Sequence, residues 1–190
     1  MSYYKEKIIH GFDNIHLCKI NKNSVPVKIL GGISVSIELK QPYKIMKSGG
    51  NENVIFYGKI SGTGKLNLLG LTADEEELIW NFKRYKNGIV VEDSIKPNDL
   101  RLLFTRKRRD GATIYYCIYN VIFDIDNILA ETDAAKRSNS RRELSFNVFA
   151  DKKLKLTFFS MDTKSGEKEI LENWFKEIQI PEKENYEYDR

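Results

Sequence analysis

The chain has 190 residues, a length that suits one domain able to bury its own core without metals or disulfides. Its 41% hydrophobic and 31% charged residues exclude wholesale disorder. The net charge of +4, from 31 basic and 27 acidic side chains, permits an acidic partner without demanding one.

Taken from the start, Met1 to Lys7 lacks an apolar stretch behind it, and no run reaches the roughly 18 apolar residues of a spanning helix. The expectation is a protein made and kept in the cytosol, with no membrane partner and with lysis as its way out. Ile33 to Leu39 alternates apolar and polar, as a half-buried strand does, and so does Lys65 to Leu68. Between them, Gln41 to Asn53 holds Pro42 and Gly49-Gly50 and is read as a long loop. Thr72-Ala73-Asp74-Glu75 fits a capping box. Leu78, Ile79, Phe82 and Tyr85 follow at helical spacing, so the helix is expected to run to a left-handed stop at Asn87-Gly88.

Leu100 to Thr105 and Thr113 to Ile125 are two longer strand-like runs, with Asp110-Gly111 as the turn between them. Asp126 to Arg142 reads as a second long loop. Glu143 to Ala150 and Lys153 to Ser160 read as a further strand pair separated at Asp151-Lys152, with Leu154, Leu156 and Phe158 on one face. Glu167 to Ile178 carries an apolar helical stripe of Ile170, Leu171, Trp174, Phe175 and Ile178, stopped by Pro181. Strands do not alternate with helices, which argues against a parallel sheet. The fold class is mainly β (α+β): an antiparallel sandwich or barrel with one flanking helix and a C-terminal helix. One domain is expected over residues 1–180, with a polar tail at 181–190.

Motifs that could carry chemistry fail on their spacing. Gly58 to Lys65 resembles a phosphate loop, but Lys59 stands where its first glycine belongs and Leu66 where a hydroxyl must hold magnesium. A strand follows it, not the helix N-terminus that phosphates need. Its glycines are read as a bend or bulge. His10 and His16 have no cysteine or carboxylate cluster at ligand spacing. Asp124 and Asp126 sit at a strand end, where Asp begins turns. Cys18 and Cys117 read as free thiols, with a single bridge left open. The chain is read as a non-enzyme with no cofactor and no metal. The basic run Arg106, Lys107, Arg108 and Arg109 beside the hairpin turn can clamp phosphates, protect a strand end or pair with a neighbouring subunit.

The order of several short motifs resembles the major tail tube protein of long, non-contractile-tailed phages and prophages of Gram-positive bacteria. They are Lys28-Ile29-Leu30-Gly31-Gly32-Ile33, then Gly62-Thr63-Gly64-Lys65-Leu66, Leu69-Gly70-Leu71 and an acidic helix. Asn87-Gly88-Ile89-Val90-Val91-Glu92, the hairpin at Asp110-Gly111 and Trp174-Phe175-Lys176-Glu177-Ile178 follow. The resemblance covers about Val27 to Pro181, and the run Arg106 to Arg109 departs from it. It implies a β-sandwich with a flanking helix that forms hexameric rings, stacked into a hollow virion tube assembled in the host cytoplasm. The implied partners are further copies of the chain, the tape measure, tail terminator and distal tail proteins, and double-stranded DNA in unspecific transit. The two long loops would connect rings through Tyr43, Lys47 and Asn51 in the first and Asp126, Glu131, Lys136, Arg137 and Arg141 in the second. Two other classes compete: a basic nucleic-acid-binding β-barrel, with Tyr115 and Tyr119 stacking on bases, and a terminator-like ring that does not polymerise.

Overall fold

A computed structural model of the chain describes residues 3–21, 24–47, 53–86, 88–126 and 141–181. The protein is mainly β, with half its residues in strands and antiparallel pairing throughout. A short helix α1 (Tyr3–Lys7) precedes β1 (Ile9–Lys19), β2 (Val27–Lys28), β3 (Gly32–Lys40), β4 (Tyr43–Lys47), β5 (Asn53–Tyr57) and β6 (Ser61–Leu68). Helix α2 (Ala73–Trp80) leads to β7 (Lys83–Tyr85), β8 (Gly88–Val90), β9 (Leu100–Arg108), β10 (Thr113–Phe123), β11 (Arg142–Phe149), β12 (Phe158–Asp162) and α3 (Lys168–Asn173). One sheet runs β2-β1-β9-β10-β11-β6-β3, and β12 adds to β10. It curls until β3 approaches β1 with no ladder between them, and Gly32 lies against Ile15 and Phe12.

Strands β9 and β10 are buried on both faces, which is why their sequences run nearly apolar instead of alternating. Inside the curl, Leu17, Leu66, Leu102, Val121, Phe123 and Phe146 pack with Ile79 and Trp80 of α2. On the outer face Cys18, Leu103, Cys117 and Tyr119 pack under Trp174. The helix expected to run to Ile178 is shorter: α3 ends at Asn173, and the Lys176 and Glu177 N–H groups donate to the Asn173 carbonyl in the turn that follows. Ile170 and Leu171 on α3 and Phe175 and Ile178 beyond it still join that second cluster, together with Leu154 and Leu156. Both cysteines are buried and unbridged. Burial pushes the Cys117 thiol up to about 12 and also raises that of Cys18.

The capping box forms as read: the Thr72 hydroxyl accepts from the Glu75 N–H, and the Glu75 carboxylate accepts from the Thr72 N–H at 2.7 Å. Three further expectations are corrected. Helix α2 stops at Trp80, because Asn81 turns left-handed (φ 61°) and the Asn98 amide donates to the Glu77 and Leu78 carbonyls at the helix end. Phe82 and Tyr85 therefore leave the helix, and β7 pairs with β8. Lys153 to Ser160 does not form a strand pair with β11. The Asp151 carboxylate accepts from the N–H groups of Lys153 and Leu154, Lys155 is left-handed (φ 60°), and only from Phe158 does the chain become β12, paired to β10. Gly62 and Gly64 make no bulge; β6 keeps its register there with β3 and β11. Their lack of a side chain admits neighbours, since a Cβ on Gly64 would stand 2.3 Å from the Phe146 ring.

Candidate functional site

The segment expected to be a loop from Gln41 to Asn53 is, at its described ends, the tip of one long hairpin. Strands β3 and β6 pair from Ser34↔Asn67 to Lys40↔Ser61, and β4 and β5 continue the ladder from Tyr43↔Tyr57 to Lys47↔Asn53. Two residues, Gln41 and Pro42, face three, Gly58 to Ile60, so a bulge separates base from tip. It is pinned where the Gly58 N–H donates to the Pro42 carbonyl at 2.7 Å and the Gln41 amide donates to the Gly58 carbonyl at 3.2 Å. A Cβ on Gly58 would stand 2.8 Å from the Pro42 ring, which explains the glycine at this joint.

Beyond the bulge, β4 and β5 pair only with each other. Residues opposite one another share a face. One face therefore carries Tyr43, Tyr57, Ile45 and Ile55 with Lys47 at its far end, and the other carries Phe56, Met46, Val54 and Lys44. Every one of these is exposed, Tyr57 at 66% and Phe56 at 54%. A ribbon with water on one side alternates apolar and polar; this one is apolar on both. A lone two-stranded hairpin is marginal in water. The outer edge of β3, next to it, has no strand partner among the described residues.

A second apolar patch lies at the other end of the same ladder. Leu30 and Leu69 are exposed, Gly31 packs on Leu69, and the Leu69 N–H donates to the Gly31 carbonyl at 2.9 Å. Nine residues of β3 separate this patch from the arm, a distance of about 30 Å at roughly 3.4 Å per residue.

Of the residues expected at subunit contacts, Tyr43 and Lys47 are on the arm and exposed. Asn51, Glu131, Lys136 and Arg137 lie outside the described residues, as does most of the second loop. Arg141 is exposed. Asp126 holds the Arg142 guanidinium at 2.5 Å, while Glu76 of α2 takes its other side at 2.6 Å, and the guanidinium sits over the Trp80 ring. Asp126 is thus part of an internal clamp that ties the start of β11 to α2. Asp124 likewise accepts from the Asn147 amide, and its carbonyl accepts from the Trp80 indole N–H.

The basic run divides the same way. Lys107 and Arg109 are exposed, but Arg108 makes two bonds of 2.9 Å to Asp110 and one of 2.9 Å to Asp162, and Lys164 reaches Asp110 at 2.6 Å. Hydrogen bonds from Arg108 and Lys164 hold the Asp110 carboxyl well below the usual carboxylate range. Backbone N–H groups of Ser165 and Lys164, with Arg108, lower Asp162 to about 2 against the opposing effect of burial. The run therefore offers fewer free cations than its sequence suggests. Tyr119, a candidate base-stacking side chain, is fully buried with its hydroxyl donating to the Gln179 carbonyl at 2.6 Å, and Tyr115 packs on Trp174 and Phe175.

The arm has a sequence signal: Tyr43 to Lys47 and Val54 to Tyr57 both carry aromatic and β-branched residues suited to strands, while the glycines between them suit a loop equally well. Among the described residues, no group of acidic, histidine or cysteine side chains is placed to hold a metal. No protein-family model matches the chain, and no curated protein matches its sequence.

Proposed function

We propose that the chain is a structural subunit that assembles with copies of itself head to tail, and that its assembly is a ring stacked into a tube, as in the phage tail tube proteins its motifs resemble. The observation that carries this reading is the arm β4–β5, largely apolar on both faces and extending from the β3–β6 hairpin. An arm at one end of a ladder and an apolar patch, Leu30 with Leu69, at the other are two different surfaces. A contact between different surfaces is heterologous, and repeats of it close into rings or extend as filaments. The open edge of β3 adds a row of free backbone groups to the same side. On this reading DNA passes through the lumen unread, and the tape measure, terminator and distal tail proteins bound the tube's length and ends.

The test is negative-stain electron microscopy with light scattering across a concentration series. Hollow tubes or stacked rings that lengthen with concentration are the expected result. A species that stays monomeric at every concentration, with or without preformed tail ends as seeds, overturns the reading; rings that never lengthen would make the chain a terminator instead.

A further inference from the structure

Apart from the assembly surfaces, the molecule holds a cleft of about 730 Å³ at the end of the outer-face core, between the start of β9, the bulge of β10, the turn after β11 and the segment following α3. Its floor is polar and buried. Arg101 has a side chain 10% exposed, and among the described residues its guanidinium donates only to the Asp151 carboxylate, at 3.2 Å. The other Asp151 oxygen is taken by backbone N–H groups of its own turn. Among the described residues Arg101 Nε has no partner, nor has Asn120 Oδ1, which stands where β10 breaks register between Ile118 and Val121. A guanidinium has five N–H donors, and a buried one served by a single carboxylate bond is underused. Unpaired buried polar groups are uncommon enough to require a reason.

The walls give the rest of the specification. Lys152, Lys153 and Lys176 stand at the rim against Asp99 and Glu177, so with Arg101 and Asp151 the cleft lines up four cations and three anions, an excess of one positive charge. Ile178, Ile180, Leu154 and Val25 supply an apolar flank, and Ile180 and Val25 are themselves exposed. Pockets of this volume with an apolar wall and a few convergent polar groups bind small ligands.

We propose that this cleft is a binding site for a carboxylate carried on an apolar stem, with Arg101 receiving the carboxylate, the rim lysines drawing it in and the isoleucines covering the stem. A free aliphatic acid and an acidic side chain on an extended peptide share this chemistry. The site stands independently of the assembly reading, because none of its residues belongs to the arm or to the Leu30–Leu69 patch.

The experiment is a titration of the ¹⁵N-labelled full chain, below its assembly concentration, with hexanoate, hexanamide, inorganic phosphate and a short blocked Leu-Glu-Leu peptide. Saturable shifts of the Arg101 Nε–H and the Asn120 side-chain amide with hexanoate, at least about tenfold tighter than with hexanamide, are expected. Lys153→Glu, on the exposed rim, should weaken hexanoate about tenfold and leave hexanamide unchanged. Arg101→Lys should do the same if it folds. Tighter binding of the peptide than of hexanoate assigns the site to a chain-borne carboxylate, and the reverse order assigns it to a free acid. Equal response to acid and amide, a preference for phosphate, or no saturable shift overturns the proposal, the last leaving the unpaired atoms as hydration sites.

Discussion

Asp162 shows how one side chain joins two elements. Its carboxylate accepts from the backbone of Lys164 and Ser165, which shapes the turn after β12, and from Arg108 at the end of β9. Its folded-state pKa of about 2 lies below the ordinary value of about 4, and that of Asp110 is lowered as well. As pH falls through about 4 the unfolded chain takes up protons that the folded chain does not, so stability is whole above about 4 and declines between about 4 and 2. Asp162→Asn should flatten that part of the decline in urea unfolding followed against pH. An acid limb identical to that of the wild type would mean that the carboxylate is not what acid attacks. Arg142 plays a parallel part by tying Asp126 to Glu76. Asp126 and Arg108 read as members of functional patches because charge is visible in a sequence while pairing is not: Asp126 holds Arg142, 16 residues away, and Arg108 is shared between Asp110 and Asp162, 2 and 54 residues away.

The hairpin from Gly32 to Leu68 is where element and function meet. Its base is locked into the sheet on the β11 side, and among the described residues the strands of its tip pair only with each other. Phe56→Lys, which sits on one face of the tip, and Ile45→Lys, on the other, should each abolish assembly while leaving the thermal midpoint of the monomer within about 2 °C, because surface changes away from packed contacts alter stability little. Loss of folding in both variants would mean that the tip packs on its own chain. Most elements were legible: alternation gave β3 and β6, the near-continuous apolar runs gave β9 and β10, and the Thr72–Glu75 pair gave the start of α2. What was not legible depended on tertiary partners. Asn98 caps α2 from 18 residues beyond its end, and Asp151 bends the chain before β12. Gln41 to Asn53 reads as a loop because Pro42 and the glycine pair are common in loops, while the strands on either side of it find their partners only in each other.

For the whole molecule, the placing of two unlike surfaces at opposite ends of one ladder makes a stronger prediction than either surface alone. Leu30→Asp with Leu69→Asp should stop growth as completely as Phe56→Lys does. Mixed in equal amounts, the two variants still hold one good arm and one good patch between them. They should form a one-to-one dimer and nothing larger, read by analytical ultracentrifugation. Full-length polymers from the mixture, or no association at all, would show that the arm does not meet that patch.

A subunit that carries its adhesive uncovered cannot be stockpiled. The same tyrosines, isoleucines and phenylalanine that would hold one copy to the next are, in a free copy, an invitation to indiscriminate clumping. On the proposed assembly, production of such a chain would have to be matched in time to the growing end that consumes it, or the arm shielded in transit, so the five-residue ribbon at the tip of β3 and β6 would set a requirement on when the protein is made.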